Sequence, residues 1–277
     1  MKMDFKSPRL YLLSSMIAAV PAIPLQLMAY INAYNHAESN YFLAKSPLPT
    51  LATAFSILSC LLAIAAIILW KRNPMTIQPP AGSFATFPAA LGFLVGGALM
   101  FLTNTAKLTY ILPVLCFLAA VYNIAIIFAN KQTKTAIALV GFSAAIACIL
   151  LNGYYYFDTT LEMNAPVKVT MQMAFLAAMI YFISEIRSLL DIELTRLYLM
   201  ACALTVGIGS LVAIPLPSAY ILGVFKPQGT ARATSLTAQI FDHPEYLAGA
   251  AIILGVCITA AWKLCYALAS REDKEDE

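Results

Sequence analysis

Eight stretches of 18 to 25 residues dominate this chain: Arg9–Tyr30, Leu48–Trp70, Ala85–Leu102, Thr109–Ala129, Thr135–Tyr154, Val169–Leu190, Thr195–Leu216 and Pro244–Leu268. Each is predominantly apolar and matches the length of about 20 residues that a helix needs to cross a bilayer. Inside lipid, only a helix or a closed barrel satisfies every backbone N–H and C=O, and a helix does so within one segment. The whole chain is 61% hydrophobic and 11% charged, against roughly 25% charged for soluble domains. Too few polar side chains remain to cover a water-facing surface. The expected fold is therefore all-α, a polytopic integral membrane bundle of eight transmembrane helices with both termini cytoplasmic. Residues 1–268 form a single transmembrane domain, and 269–277 an acidic cytoplasmic tail. No segment is left to fold as a separate soluble domain.

Local chemistry places several boundaries. Ser46-Pro47 sets a capping hydroxyl before a proline whose missing N–H costs nothing in a first turn. Asp242-His243-Pro244-Glu245 repeats that pattern for the last stretch, with an acid at the positive end of the helix dipole. Pro21 and Pro24 lie inside the first stretch, where prolines kink a helix. Lys2, Lys6 and Arg9 before an apolar run resemble a signal peptide, but the run continues to Tyr30 without a small-x-small cleavage site. No internal repeat relates the two halves, which speaks against an inverted-repeat transporter. With both termini inside, Lys2, Lys6, Arg9, Lys71, Arg72, Lys131, Lys134, Arg187, Arg196, Lys263, Arg271 and Lys274 fall on the inner face. Lys45, Lys107, Lys168, Lys226 and Arg232 fall on the outer, so the 17 basic residues divide 12 to 5, as the positive-inside bias requires. Trp70 and Trp262 land at the inner boundary. The segment from Tyr220 to Asp242 is the longest loop, and Ser235–Phe241 within it reads as a short surface helix.

Signatures of chemistry are missing. There is no phosphate-cradling GxxxxGK[ST], no GxSxG elbow and no HExxH helix, and no aspartates are spaced to hold magnesium. The two histidines, His36 and His243, fall in loops. With Asp242, Glu245 and Glu38 they are the nearest approach to a zinc ligand set, but helix capping and loop solvation account for them better. No catalytic, metal-ligating or cofactor-binding residues are assigned, and an enzyme is disfavoured. A net charge of +3 without a concentrated basic face excludes nucleic acid as a partner. The six cysteines sit in or beside apolar stretches and act as small hydrophobes, with no disulfide framework.

Glu185 is the most informative polar residue. It lies about one and a half turns from the inner end of the sixth stretch, and shares a helical face with Tyr181, Ala178 and Ala174. Small residues permit close helix contact, so this face turns into the bundle. Arg187 shares a face with Ile183, Ile180 and Leu176, which suits lipid, and its stem can snorkel to headgroups. Two residues apart, Glu185 and Arg187 do not face each other. Glu185 thus needs a donor from elsewhere, with Tyr11, Arg9 and Arg196 as candidates. An inward acid in a membrane helix points to function, and the competing reading is a carboxylate that pins two helices. Other inward faces are Ser15–Ala19–Ala22–Gln26–Tyr30, Pro113–Cys116–Ala120–Asn123 and Gly141–Ala145–Cys148–Asn152. Such faces line cavities or simply pack helices. Gly92-x-x-x-Gly96 and Thr205-x-x-x-Gly209-x-x-x-Ala213 are packing signals. No ionisable pair is evident at mid-bilayer depth, which counts against an ion-coupled pump.

The stretch YFISEIRSLLDIELTRLYL, Tyr181 to Leu199, resembles a segment of uncharacterised multi-pass membrane proteins of Clostridia-type Gram-positive bacteria. The likeness rests on Ser184-Glu185-x-Arg187 followed by Arg196-x-Tyr198-Leu199. It implies a bacterial plasma-membrane protein and no site residues. Two functional accounts follow. One is transport or membrane-embedded binding of a small or amphipathic solute, in a cavity lined by Gln26, Asn123, Asn152, Glu185 and Tyr181. The other is a non-catalytic accessory or sensory subunit that contacts a membrane protein partner through its helices. The test between them is whether Gln26, Asn123 and Asn152 converge on one cavity or pair off between packed helices.

Overall fold

The computed structural model describes residues 8–35, 41–42, 45–69, 84–103, 110–130, 132–158, 164–192, 195–222 and 244–269. Among these described residues nine helices follow in order: α1 Pro8–Ala33, α2 Leu48–Leu69, α3 Phe87–Thr103, α4 Ile111–Ala125, α5 Lys134–Phe157, α6 Pro166–Leu189, α7 Thr195–Gly209, α8 Pro215–Ile221 and α9 Pro244–Ala269. Single 3₁₀ turns extend α3 backwards over Phe84–Thr86 and α4 forwards over Ile126–Phe128. A two-residue antiparallel pair, Tyr34–Asn35 with Tyr41–Phe42, lies between α1 and α2. The protein is thus a helical bundle, and seven helices among the described residues are long and apolar enough to cross a membrane.

One expected helix is not continuous. The stretch Thr195–Leu216 divides into α7 and α8, separated by a turn over 210–214. Pro215 stands at the first position of α8, where a missing N–H does no harm. The carbonyls at the end of α7 find new partners. Gly207 O accepts the Ser210 and Ser56 hydroxyls, both at 2.8 Å, and Gly209 O accepts the amides of Val212 and Ala213. Hydroxyls and tightened turns thus satisfy the carbonyls that the break frees at the end of α7. At about 1.5 Å per residue α7 spans roughly 22 Å, short of the 30 Å hydrocarbon thickness. Apolar character shows where an element is buried, and it cannot show that a buried element turns.

Small residues set the packing. The Gly92-x-x-x-Gly96 pair of α3 lies against α9, where a Cβ on Gly92 would stand 2.7 Å from Ala251 O and one on Gly96 2.8 Å from Ala248 O. Gly255 of α9 returns the contact, since a Cβ there would overlap the Pro88 carbonyl. The inward faces expected for α1, α4 and α5 are turned inward, with Ser15, Ala22, Cys116, Ala120, Ala145 and Cys148 all buried. Outward sides stay apolar: Ile17, Val20, Ile68, Leu102 and Leu139 are each more than 60% exposed. An apolar exterior of this kind suits lipid rather than water. Between α6 and α7 the chain reverses through Asp191, a non-glycine residue at φ 58°. Its amide bonds Ser188 O and the next amide bonds Arg187 O, the left-handed ending that closes many helices.

Candidate functional site

Four helices meet at one buried ionic centre. Glu185 of α6 and Lys263 of α9 form an ion pair whose side chains are only 6% and 3% exposed. Tyr181, one turn back from Glu185, donates to its Oε1 at 3.0 Å. Tyr122 of α4 reaches Oε2 at 3.4 Å. The Lys263 ammonium also donates to the Tyr181 hydroxyl at 3.0 Å. It lies 5.5 Å from the centre of the Tyr181 ring and 5.8 Å from that of Tyr198 on α7. Those two rings stack at 6.0 Å and 29°. The carboxylate therefore has an ammonium and two hydroxyls, and the ammonium has a carboxylate, a hydroxyl and two aromatic faces. Each contact offsets part of the desolvation that an ion suffers in an apolar bundle.

Local sequence explains how the centre is built. The Tyr181–Glu185 spacing stacks both side chains on one face of α6. Ala174 and Ala178 continue that face and are buried, whereas Leu176, Ile180 and Ile183 on the opposite face are about 40% exposed. Gly141 of α5 lets Tyr122 lie close, because a Cβ there would sit 2.5 Å from the ring edge. Phe182 buttresses Tyr122 edge-on at 6.4 Å and meets Phe93 of α3 at 5.6 Å. Thr259, one turn before Lys263, accepts the Ala89 amide at 3.0 Å and ties α9 to the start of α3.

The charged partner seen here, on α9, was not among the donors considered above. Lys263 fills that role, and two corrections follow. Counting Lys263 among the inner-face charges fails, because the ammonium is enclosed in the bundle. An ionisable pair does lie between long apolar helices, off-centre and towards the ends of α6 and α9. One signal was available in the sequence: Lys263 lies six residues inside α9, between Thr259–Trp262 and Leu264–Cys265. A lysine at that depth needs a carboxylate at matching depth, and Glu185 offers one. Lys168, counted as an outer charge, is also buried and donates to the Asp158 carbonyl at 2.5 Å.

The three amides are held apart. Asn123 of α4 is fully buried and its side chain donates to Ala119 O of the same helix at 2.8 Å, while its backbone carbonyl accepts the Thr86 hydroxyl at 2.6 Å. Asn152 donates to Gln172 O at 3.2 Å across α5 and α6. Gln26 is buried on α1 beside the Tyr30 hydroxyl, with Thr170 of α6 at the same group. Among the described residues no hydrogen bond joins any two of these amides. Of the five candidate residues the structure brings together Glu185 and Tyr181, and adds Lys263, Tyr122 and Tyr198.

A second polar group lies at the opposite end of α5, α6 and α9. Tyr246 donates to Asp158 Oδ2 and Tyr155 to the Glu245 carbonyl, both at 2.5 Å. Tyr155 stacks on Phe175 at 5.7 Å and meets Tyr246 at 5.3 Å. These bonds tie the end of α5 to the start of α9. His36, Glu38, Asp242, His243, the Ser235–Phe241 stretch and the acidic tail lie outside the described residues. Among the described residues no three acidic, histidine or cysteine side chains gather as a metal site, and all six cysteines are free thiols. No family model, curated protein or solved structure matches the chain.

Proposed function

We propose that this chain is an integral protein of a bacterial plasma membrane that binds a small or amphipathic solute at the Glu185–Lys263 centre, as a step in moving or sensing it. The ion pair between α6 and α9 supports the reading. A helix pin needs only neutral hydrogen bonds, and apolar side chains of equal volume generally replace a buried ion pair without loss of stability. Charges retained inside membrane helices are characteristically working groups. In the proposed orientation both termini are cytoplasmic and α7 with α8 makes one crossing. With Lys263 and Lys168 withdrawn from the surface count, the basic residues still divide 11 to 4 in favour of that arrangement.

The experiment is purification in a mild detergent followed by native mass spectrometry. Wild-type protein carries a bound small molecule, and folded Glu185→Gln does not. A ligand retained by Glu185→Gln would move the site elsewhere. Reporter fusions at Lys45, Lys107, Lys168 and Arg232 read outside and those at Asn73 and Lys131 inside; two reversed loops would overturn the orientation.

The separate partners of Gln26, Asn123 and Asn152 favour a second reading, an accessory or sensory subunit that works through helix contacts. Under it, the same purification yields a stoichiometric protein partner and no small molecule.

A further inference from the structure

We infer that the Glu185 centre is a receptor for the ammonium head of an amine, and that Lys263 is its tethered occupant in the state described here. This rests on the binding reading above and names the class of solute. The surroundings of Lys263 match what an alkylammonium requires. Glu185 supplies the counter-charge, the Tyr181 hydroxyl an acceptor at 3.0 Å, and the rings of Tyr181 and Tyr198 two faces within 6 Å. Aromatic faces attract cations through their quadrupole, the more so when desolvated. An anionic solute would instead have to displace Glu185, which is anchored by two hydroxyls from α4 and α6 as well as by the lysine.

The two charges differ in how firmly they are held. Glu185 has a short stem, and if Lys263 leaves, Tyr122 and Tyr181 still donate to it. Lys263 has a flexible four-carbon stem and stands six residues, about 9 Å, from the end of α9. Its ammonium can move towards that end, as lysines near helix ends do, and leave an aromatic-walled carboxylate behind. An incoming ammonium takes the vacated contacts, so the charge of the centre is unchanged by the exchange. A tethered cation competes at an effective concentration in the millimolar range or above. Occupancy by an external amine is therefore weak until Lys263 is removed or withdrawn.

The test uses the full chain in detergent, with methylammonium as the probe, methanol as its neutral match and acetate as the anion. Thermal unfolding is followed against probe concentration, since a ligand that binds the folded state raises the midpoint in a saturable way. The expected result is a saturable rise with methylammonium alone. Half-saturation falls at least tenfold in Lys263→Ala, and the effect disappears in Glu185→Gln. Where Lys263→Ala is recovered only when methylammonium is present, that rescue is the same result. The inference is overturned if methylammonium produces no saturable rise in wild type or Lys263→Ala, or if methanol acts equally well. It is also overturned if the effect survives in Glu185→Gln, or if Lys263→Ala cannot be rescued while the neutral double variant Glu185→Gln/Lys263→Ala folds. A native solute that carries no amine yet is lost from Glu185→Gln would leave the binding reading standing and remove only its chemical class.

Discussion

Removing the lysine of the buried pair exposes how the centre is held. Lys263→Met keeps most of the side-chain volume and deletes the charge, which leaves the Glu185 carboxylate with two tyrosine hydroxyls for partners. Breaking a buried pair from one side costs about 3–5 kcal/mol, and hydrogen bonds to a charged group recover part of that. The expected loss is about 3 kcal/mol. Glu185→Gln keeps an acceptor for one of the two tyrosines, turns an amide NH2 towards the other, and strands an ammonium that can still withdraw towards the end of α9, so about 2 kcal/mol is expected. The double variant Glu185→Gln/Lys263→Met buries no charge and should lose no more than about 2 kcal/mol, giving a coupling of about 3 kcal/mol. Reversible unfolding of the purified protein in mixed micelles, with denaturing detergent as the variable, measures all four species. Additivity within about 0.5 kcal/mol would mean that the charges do not interact, and both the ion pair and the argument built on it would fail. Were Glu185 only a hydrogen-bonded pin, glutamine would cost almost nothing; with Lys263 as its partner, glutamine is not a silent change.

Three further outcomes test the packing around this centre. Gly255→Ala sets a methyl against the Pro88 carbonyl; backbone cannot yield as a side chain does, so α3 and α9 must separate, at about 1–3 kcal/mol in the same unfolding assay. Gly141→Ala presses on the Tyr122 ring, which can tilt; the loss should be about 1 kcal/mol, and largely absent when measured in a Tyr122→Phe background that has already given up the bond to Glu185. Lys134→Ala removes an ion pair to Asp191 whose side chains are 22% and 68% exposed; it should cost under about 1 kcal/mol and become undetectable at 1 M salt.

Much of the architecture follows from composition and spacing. Helix is the only form that long apolar segments take when lipid is the solvent, because the backbone bonds close within each segment. Which side of each helix turns inward was legible too. Small residues at a spacing of three or four, as in Gly92-x-x-x-Gly96 and Ala174–Ala178–Tyr181–Glu185, mark the faces where backbones approach. Residue type also singled out Glu185, since a carboxylate within an apolar helix must find a donor.

Tertiary structure alone decided which donor that was. Lys263 lies 78 residues from Glu185 along the chain, and no periodicity within one helix records the distance between two. Arg9 and Arg196 were the basic side chains considered, and Lys263 was counted with the inner-face charges; the packing of α9 against α3, α6 and α7 brings it to Glu185. The break between α7 and α8 was hidden for a related reason. The run Thr195–Leu216 is apolar throughout, and the hydroxyls that satisfy the carbonyls at the break come partly from Ser56 on another helix. The scattered amides make the same point in reverse. Gln26, Asn123 and Asn152 each occupy an inward face, but an inward face specifies only that a side chain turns into the bundle; Asn123 bonds back to its own helix, while Asn152 bonds across to α6 and Gln26 lies beside Tyr30.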